Sequence, residues 1–572
     1  MTKKIIGVLL ALCALTTSYA QDNDRHNFDV TKNLEVFNTV YKYLDMMYVD
    51  TLNANEVVRY GLGAMLNSLD PYTVYYPADD TKELDLMLTG RYGGIGAIIR
   101  YDLVRKTVVI DEPYEDTPAA KAGLRKGDVI VSIDDSTMTG KPAAYVSSHL
   151  RGDAGSTFEI KIMRPSTGKT FRKIITREQI QQPAVAYYGV QPGGIGYLCL
   201  TSYTENCARD VRRAVLDMKH QGMKSLVLDL RGNGGGSVQE AISIVNMFVP
   251  KGETILTMKG KIKQANREFT TKVEPIDTVM PIVVLVNDQT ASASEITCGS
   301  LQDLDRAVVM GTRTFGKGLV QSTFDLPYNG VIKLTTSKYY IPSGRCIQAI
   351  NYRHGRGGYT EHIPDSLTHT FTTRHGRIVR DGGGIKPDIE VLPDSLPNIA
   401  FYLASTGLDS TEAMLNWEVK YLKEHKTIAP AATFELSDAD YEDFKAFVIQ
   451  SGFKYDRESE KQLKKLAKFE GYYDDARAEF DALEQRLNHN LAKDLDHNKE
   501  VIKAILAGDI VAAYYFQRGS VENKLLHDKQ WKEAVKLLND MDRYQRTLQP
   551  APQEETAKTE EQTAKTEVTA EP

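Results

Sequence analysis

Two apolar runs, Ser225–Leu230 and Pro281–Val286, constrain the fold of this chain more than any other feature. Neither run alternates with polar residues, so each is predicted to be a strand that is buried on both faces. Each is followed by a polar or glycine-containing turn and then by a segment with helical spacing, Val238–Phe248 and Ser294–Leu304 respectively. Strands and helices that alternate in this way are typical of a parallel sheet covered by helices. We therefore predict an α/β core in residues 181–395.

The 572-residue chain is too long for one ordinary domain, and its composition changes along its length. We predict a multidomain α/β and α+β fold. Besides the core, its regions are a signal peptide (1–20), an N-terminal helical region (21–89), a small β-rich module (90–180), a C-terminal helical region (396–549) and a disordered tail (550–572). The tail repeats Thr-Ala-Lys-Thr-Glu and has too few apolar residues to form a core.

The N-terminus has the pattern of a secretory signal peptide. Lys3 and Lys4 precede the apolar run Ile5–Leu15, and Ser18-Tyr19-Ala20 supplies the small residues of a cleavage site. The apolar run is too short to span a bilayer as a stable helix. We expect cleavage after Ala20 and export of the mature protein, with the periplasm as its location and association with a membrane as the alternative.

Composition limits the classes of partner and cofactor. A net charge of -6 over this length gives no indication of nucleic acid binding. The cysteines that follow the signal have neither metal-site spacing nor the density of a disulfide framework, and we interpret Cys199, Cys207, Cys298 and Cys346 as small buried residues. No metal or cofactor is expected.

The segment Thr290–Glu295 follows the second apolar run and opens a helix. A serine at this point lies at the carboxyl edge of the sheet, where α/β proteins place their sites. The free N–H groups and partial positive charge of the helix N-terminus would suit an oxyanion. Serine is also common as a simple N-cap, and for this segment taken alone that is the favoured interpretation.

Two further segments carry candidate chemistry. Arg313–Gln321 holds Lys317 between two glycines, and a desolvated lysine can act as a base for a serine nucleophile, although a surface lysine on a hairpin is the competing interpretation. Asp229–Gly236 ends a strand with a glycine run whose N–H groups could bind an oxyanion, although a tight turn would need the same residues. A nucleotide phosphate loop is disfavoured, because the Gly-Lys-Ser/Thr ending is absent.

Together and in this order, these segments resemble the carboxy-terminal processing (tail-specific) protease family. The similarity covers roughly residues 30–395, and its motifs are Leu69–Tyr72, Gly93–Gly96, Thr117–Asp128, Asp229–Gly236, Thr290–Glu295, Phe315–Gln321, Tyr339–Arg345 and Gly384–Asp388. The resemblance implies a serine endopeptidase whose crotonase/Clp-like protease core carries an inserted PDZ-like domain, with helical regions on either side in sequence.

The resemblance also assigns roles to individual residues. It makes Ser292 the nucleophile, Lys317 the general base and Gln321 the amide that orients the lysine. The oxyanion donors fall on the backbone N–H groups of Ala293 and of a glycine in the run 234–236, for which we choose Gly236. Threonine replaces the first serine of the family's Ser-Ala-Ser-Ala-Ser-Glu motif here, which leaves the nucleophile position unchanged.

The β-rich module resembles a PDZ domain. Gly93, Gly94, Ile95 and Gly96 correspond to the loop that binds a C-terminal carboxylate, and the strand Ala97–Arg100 would accept an extended peptide by β-augmentation. The expected partners are therefore protein or peptide substrates with free C-termini. The C-terminal helices are expected to bind a second copy of the chain or an adaptor, or to remain solvated.

Two other functions stay open from sequence alone. A catalytically idle PDZ scaffold would bind exported protein tails without cleaving them, and the joint presence of Ser292, Lys317 and Gln321 argues against it. The same core fold also serves acyl-CoA chemistry, which the PDZ-like insertion and the Ser–Lys pair disfavour. An exported serine endopeptidase is the leading prediction.

Overall fold

The computed structural model describes residues 2–351, 361–455, 458–486 and 491–550. The predicted tail therefore lies almost wholly outside the described residues. The described chain falls into two units, of which the first holds residues 2–78 and 323–334 and the second holds the remainder. Within the described ranges, no helix combines the length and the apolar composition needed to cross a membrane.

The first unit is built from two helices and a short strand. These are α1 (Thr2–Met47), α2 (Ala54–Asn67) and β1 (Val74–Tyr76), and β1 pairs antiparallel with residues 331–333. Asn53 caps α2, since its side-chain oxygen accepts from the N–H groups of Asn55 and Glu56. Asp70 forms a turn between α2 and β1, because its carboxylate accepts from the N–H groups of Tyr72 and Thr73.

The second unit opens with one helix and the β-rich module. Its elements are α3 (Thr81–Thr89), β2 (Arg91–Gly94), β3 (Ala97–Asp102), β4 (Thr107–Pro113), α4 (Pro118–Lys121), β5 (Val129–Ile133), β6 (Ser136–Thr137), α5 (Ala143–Leu150), β7 (Thr157–Arg164), β8 (Lys169–Thr176) and β9 (Glu178–Gln181).

Six of these strands form one sheet in the order β3-β4-β5-β7-β8, with β6 paired to β5. Strand β3 is therefore an edge strand. The segment 91–94, which the sequence predicts to be a loop, is instead strand β2, because it pairs antiparallel with β9. A core of aliphatic residues from β4, β5 and β7, among them Ile110, Ile130 and Ile160, is fully buried.

The core follows in sequence. Its elements are β10 (Val185–Gln191), β11 (Ile195–Leu200), α6 (Cys207–His220), β12 (Ser225–Asp229), α7 (Val238–Val245), β13 (Thr254–Gly260), β14 (Arg267–Thr270), β15 (Ile282–Val286), α8 (Ala293–Asp303), β16 (Val308–Gly311), β17 (Leu319–Asp325), β18 (Val331–Tyr340), β19 (Ile350–Asn351), β20 (Glu361–His362), β21 (Thr370–Thr372), β22 (Ile378–Arg380) and β23 (Ile389–Glu390).

The central sheet has the order β10-β11-β12-β15-β16-β23. Strands β11, β12, β15, β16 and β23 run parallel, and β10 is an antiparallel edge strand. Every residue of β12 and β15 is buried, as expected for strands covered on both faces. The α/β prediction is confirmed, and the carboxyl ends of β12 and β15 lie side by side in register.

The C-terminal region is helical, as predicted. Its helices are α9 (Asn398–Ala404), α10 (Ala413–Glu424), α11 (Asp438–Ser451), α12 (Glu458–Phe469), α13 (Arg477–Arg486), α14 (Leu491–His497), α15 (Lys499–Lys524), α16 (Lys529–Asn539) and α17 (Met541–Thr547).

The last two helices pack against the central sheet. Trp531 and Leu537 of α16 share a buried cluster with Val227 of β12 and Leu285 of β15, and the Trp531 ring meets the edge of Tyr197 with centroids 5.3 Å apart. Helices α6, α7 and α8 contribute to a separate cluster with the other side chains of the same strands. The sheet is thus sandwiched between helices from the middle and from the end of the chain.

The β-rich module also contacts the C-terminal helices, through buried charges. The Lys126 ammonium lies 3.0 Å from the Glu418 carboxylate of α10, and Arg100 pairs with Glu412. Burial raises the pKa of Glu418, and the positive charge of Lys126 opposes that rise. Charges of opposite sign therefore face each other across this contact.

We expect removal of Lys126 to destabilise the protein strongly, because it leaves the buried Glu418 carboxylate without its cation. Lys126→Met alone should cost about 3–5 kcal/mol in free energy of unfolding. Glu418→Leu should cost less, because Asp111 still lies 3.7 Å from the Lys126 ammonium, and the double variant should be more stable than Lys126→Met. Urea denaturation of the three variants measures this. Single variants as stable as the wild type would show that water already screens the pair.

Candidate active site

Ser292 lies where the turn after β15 enters α8. Its φ of +57° places a non-glycine residue in the left-handed region, which costs free energy that surrounding contacts must offset. Only 9% of the residue is exposed. A serine on a strained strand-to-helix turn projects its hydroxyl at the edge of a sheet, which is a recurrent arrangement for nucleophiles.

The glycine run after β12 packs against this turn. A Cβ atom on Gly235 would lie 2.8 Å from the Cβ of Ser292 and 2.6 Å from the Ala291 carbonyl oxygen, so no side chain fits there. Asn233 fixes the run, because its side-chain oxygen accepts from the Gly235 N–H and its carbonyl oxygen accepts from the Ser294 hydroxyl. The structure therefore brings together two of the three segments that the sequence singled out.

The Lys317 loop is the third segment, and it lies beside the same turn. The Phe315 N–H donates to the Thr290 carbonyl oxygen at 3.0 Å, and the Gly316 carbonyl oxygen accepts from the Ala349 N–H. A Cβ atom on Gly316 would lie 2.2 Å from the Ala349 Cβ, which explains the need for glycine. Lys317 itself is half-buried.

Glu295 connects the two segments directly. One carboxylate oxygen, Oε2, accepts from the backbone N–H of Ser292 at 2.9 Å and from that of Lys317 at 2.8 Å. The other, Oε1, accepts from the Thr314 hydroxyl at 2.6 Å and from the Gly316 N–H at 2.7 Å. Burial raises the pKa of Glu295, and these four donors act in the opposite direction.

Tyr339 and Gln321 complete the surroundings of the loop. The Tyr339 hydroxyl lies 2.7 Å from the Lys317 carbonyl oxygen and 3.2 Å from that of Ser292. The Gln321 amide on β17 donates to the Thr335 hydroxyl at 3.1 Å, which leaves its side-chain oxygen as the atom that would accept from an ammonium group.

The two predicted oxyanion donors differ from their neighbours in hydrogen bonding. The Gly235 N–H is occupied by Asn233, whereas the N–H groups of Ala293 and Gly236 have no acceptor among the described residues. Gly236 forms a parallel β-bridge with Tyr203. The hydrogen bonds of this bridge run from the Tyr203 N–H to the Gly235 carbonyl oxygen and from the Ser237 N–H to the Tyr203 carbonyl oxygen, so they do not use the Gly236 N–H. Gly235 is therefore unsuited to the donor role, and Gly236 stays the prediction.

The predicted carboxylate loop lies at one end of a groove between β3 and α5. A cavity of about 40 Å³ there is lined by Tyr92, Ile95, Gly96, Ala97, Ile99, Ser147, Leu150 and Arg151. The Gly96 carbonyl oxygen accepts from the Tyr114 N–H, whereas no acceptor is found among the described residues for the N–H of Ile95 or of Gly96. The Arg151 guanidinium lies over the Tyr92 ring, 5.1 Å from its centroid.

Other motif residues have structural roles away from these sites. Arg231 pairs with Asp229 and with Asp528 at the start of α16, so this end of the glycine motif joins the core to the C-terminal helices. Arg345 is 1% exposed and pairs with Asp303, and Asp388 accepts from the Val309 N–H. These residues stabilise the fold around the site.

Sequence reasoning missed Glu295, Thr314, Tyr339 and the groove residues of α5. The signal for Glu295 was present, because Ser-x-x-Glu at the start of a helix is a capping-box pattern that predicts a bond between Glu295 and the Ser292 N–H. Thr314 left no comparable signal, and Tyr339, although it begins one of the family motifs, was given no role, since the partners of both residues are distant in sequence. Among the described residues, no group of acidic, histidine or cysteine side chains could hold a metal ion.

Three family profiles match the chain. "Peptidase family S41" matches residues 194–357, "PDZ domain" matches 109–164, and "Probable PDZ-protease, C-terminal helical domain" matches 404–538. The three ranges fall in the core, the β-rich module and the C-terminal helices respectively.

Named relatives agree with these profiles. The carboxy-terminal-processing protease of Bartonella bacilliformis is 35% identical over 360 residues, which is 61% of this chain and 81% of the relative. A probable CtpA-like serine protease of Staphylococcus epidermidis is 30% identical over 361 residues, 62% of this chain and 70% of the relative. Among solved structures, a photosystem II D1 C-terminal processing protease is 27% identical with a TM-score of 0.33, covering 63% of this chain and 93% of its own.

Proposed function

Because this chain belongs to the S41 family of carboxy-terminal-processing serine proteases, we propose that it hydrolyses peptide bonds with Ser292 as nucleophile and Lys317 as general base. The observation that carries the proposal is the shared contact of Ser292 and Lys317 with one oxygen of Glu295. One buried group thus joins the backbones of a serine and a lysine, and a serine paired with a lysine is a recurrent nucleophile–base arrangement.

In the proposed reaction, the Ser292 hydroxyl oxygen attacks the scissile carbonyl carbon, and the neutral Lys317 amine accepts the proton that the hydroxyl releases. The N–H groups of Ala293 and Gly236 then donate to the negative oxygen and stabilise it. They are suited to this role because neither has an acceptor among the described residues. The protonated lysine gives its proton to the leaving amine, and water hydrolyses the acyl-enzyme by the same route. Gln321 orients Lys317 through its side-chain oxygen.

We further propose that the PDZ domain binds the C-terminal tail of the substrate. The proposal is supported by the edge position of β3, which could accept an extended peptide, and by the N–H groups of Ile95 and Gly96, which would bind the carboxylate and for which no acceptor is found among the described residues. The small cavity beside them would take the side chain of the last residue. The substrates are accordingly proteins or peptides with free C-termini.

The proposed location is outside the cytoplasm, in the periplasm. Support comes from the positive residues, apolar run and small residues of the first 20 positions. Assembly through the C-terminal helices, with a second copy or an adaptor, stays a prediction.

Tail recognition predicts a large effect of the substrate's end group. Amidating the C-terminus of a peptide substrate removes a charged acceptor, which is worth about 1.5–3 kcal/mol, so KM should rise about 10- to 100-fold. Steady-state kinetics with the free and the amidated peptide measures this. A rise in KM alone would indicate a tether, and a simultaneous fall in kcat would indicate that an occupied groove also activates the site.

A variant pair on α5 provides the control. Ser147 lines the groove and Ser148 is exposed beside it. Ser147→Trp should raise KM for the free peptide and abolish its advantage over the amidated one, while Ser148→Trp should change neither. Equal kcat/KM for the two peptides in the wild type would rule out tail selection, and the absence of any peptide cleavage would favour the idle scaffold.

A further inference from the structure

Glu295 is a buried acid that takes part in no chemical step of the proposed mechanism. It is fully buried, and each of its two carboxylate oxygens accepts two hydrogen bonds. Three of the donors are backbone N–H groups, which cannot turn to accept a proton in return. The arrangement therefore matches an ionised carboxylate whose lone pairs are all satisfied.

The donors come from two different segments of the chain. The Ser292 N–H belongs to the nucleophile turn, while Thr314, Gly316 and Lys317 belong to the loop that carries the candidate base. The segments are joined also by the bond from Phe315 to Thr290. Glu295 accepts from the backbone N–H groups of both Ser292 and Lys317 through one atom, so its position fixes both residues relative to each other. The Tyr339 hydroxyl contacts the carbonyl oxygens of the same two residues, but it does not hold Thr314 or Gly316 of the loop.

The same contact acts on the strained conformation of Ser292. With φ at +57°, the turn keeps its shape only where neighbouring groups hold it. The hydrogen bond from the Ser292 N–H to Oε2 of Glu295 fixes the backbone of the same residue whose hydroxyl would react. A shift of the turn would move that hydroxyl relative to the loop opposite.

We propose that Glu295 is a positioning residue that sets the separation of Ser292 from Lys317 by accepting hydrogen bonds from both backbones. This inference rests on the proposed Ser–Lys mechanism. Glu295 does not touch the substrate and takes no part in proton transfer. Its effect is on the rate of the chemical step, because a displacement of the reacting groups by about 1 Å can cost 10²-fold in rate.

The test is Glu295→Gln, measured by kcat and KM on a peptide with a free C-terminus and by labelling with a fluorophosphonate, which reacts with an activated serine. Glutamine has one acceptor oxygen in place of two, so two of the four donors lose their acceptor, and in either orientation the amide NH2 group faces at least one backbone N–H that it cannot bind. We expect kcat to fall about 10²-fold with KM unchanged, and labelling to slow in parallel. A folded variant with wild-type kcat would overturn the proposal.

Matched variants separate positioning from folding. Glu240 on α7 also accepts a backbone N–H, from Ala208, and contacts neither segment, so Glu240→Gln should retain wild-type kcat. If Glu295→Gln does not fold, Thr314→Val removes one of the four donors, together with the acceptor of the Ile385 N–H, and should lower kcat less, again with KM unchanged. A wild-type kcat for Thr314→Val, or a rise in KM without a fall in kcat for either variant, would contradict the role.

Failure of the underlying mechanism gives a different result. Ser292→Ala is labelled in parallel with the wild type, and persistent labelling there would refute the nucleophile assignment. Loss of labelling in Ser292→Ala together with unchanged kinetics in Glu295→Gln would instead keep the mechanism and reject the positioning role.

Discussion

Replacing Ser292 by alanine is expected to abolish peptide hydrolysis while leaving the protein folded. The loss should be on the order of 10⁵-fold or more in kcat, since no other group can form the acyl-enzyme. The residue is small and immediately precedes α8, so alanine fits the space. Hydrolysis of a casein-type substrate and circular dichroism of the same preparation would test both parts of the prediction.

Ser294 provides the control within the same motif. Its hydroxyl donates to the Asn233 carbonyl oxygen at 2.9 Å and is fully buried, so its role in the structure is to hold the glycine run. Ser294→Ala should weaken activity modestly through that one bond, worth about 1 kcal/mol. A loss as severe as that of Ser292→Ala would mean that the nucleophile has been assigned to the wrong serine.

The second large effect is expected at Lys317. Lys317→Ala should reduce kcat nearly as much as Ser292→Ala, because nucleophile and base act as one unit, and the double variant should be no worse than either single one. Lys317→Arg should be equally inactive, since a guanidinium keeps its charge at any usable pH and cannot accept the serine proton. Turnover by the arginine variant would show that the site needs a cation and not a base.

The wild-type enzyme should also become more active as pH rises, because only the neutral amine can accept the serine proton. A metal chelator should have no effect on this profile. Strong inhibition by a chelator that added zinc reverses would contradict the Ser–Lys mechanism. Gln321→Ala should weaken the activity without abolishing it, since the amide only orients the lysine.

Much of this architecture was predictable because it depends on local patterns. The buried strands β12 and β15 are visible in the sequence as apolar runs, and helix α8 (Ala293–Asp303) lies within one residue of its predicted range, Ser294–Leu304. Strand β2 was missed, since glycine has low strand propensity and its pairing with β9 depends on residues far along the chain. Local propensity could not reveal that contact.

The candidate site shows the same division. Motifs identified Ser292 and Lys317 one at a time, but the carboxylate that joins them became apparent only when Gly316 and Lys317 were seen to donate to Glu295. The packing of α16 on β12 and β15 was equally hidden, because an apolar stripe on a helix does not say which surface it covers.

That packing has a consequence for the order of events during synthesis. The core sheet is finished on one side by Trp531 and Leu537, which follow their partners Val227 and Leu285 by hundreds of residues. Contacts at such sequence separation form late, because the intervening chain must first be brought together. When Ser292 and Lys317 have been synthesised, the helix that covers one face of the central sheet has not yet been made. We therefore expect the core to complete its folding only after the C-terminal helices have left the ribosome.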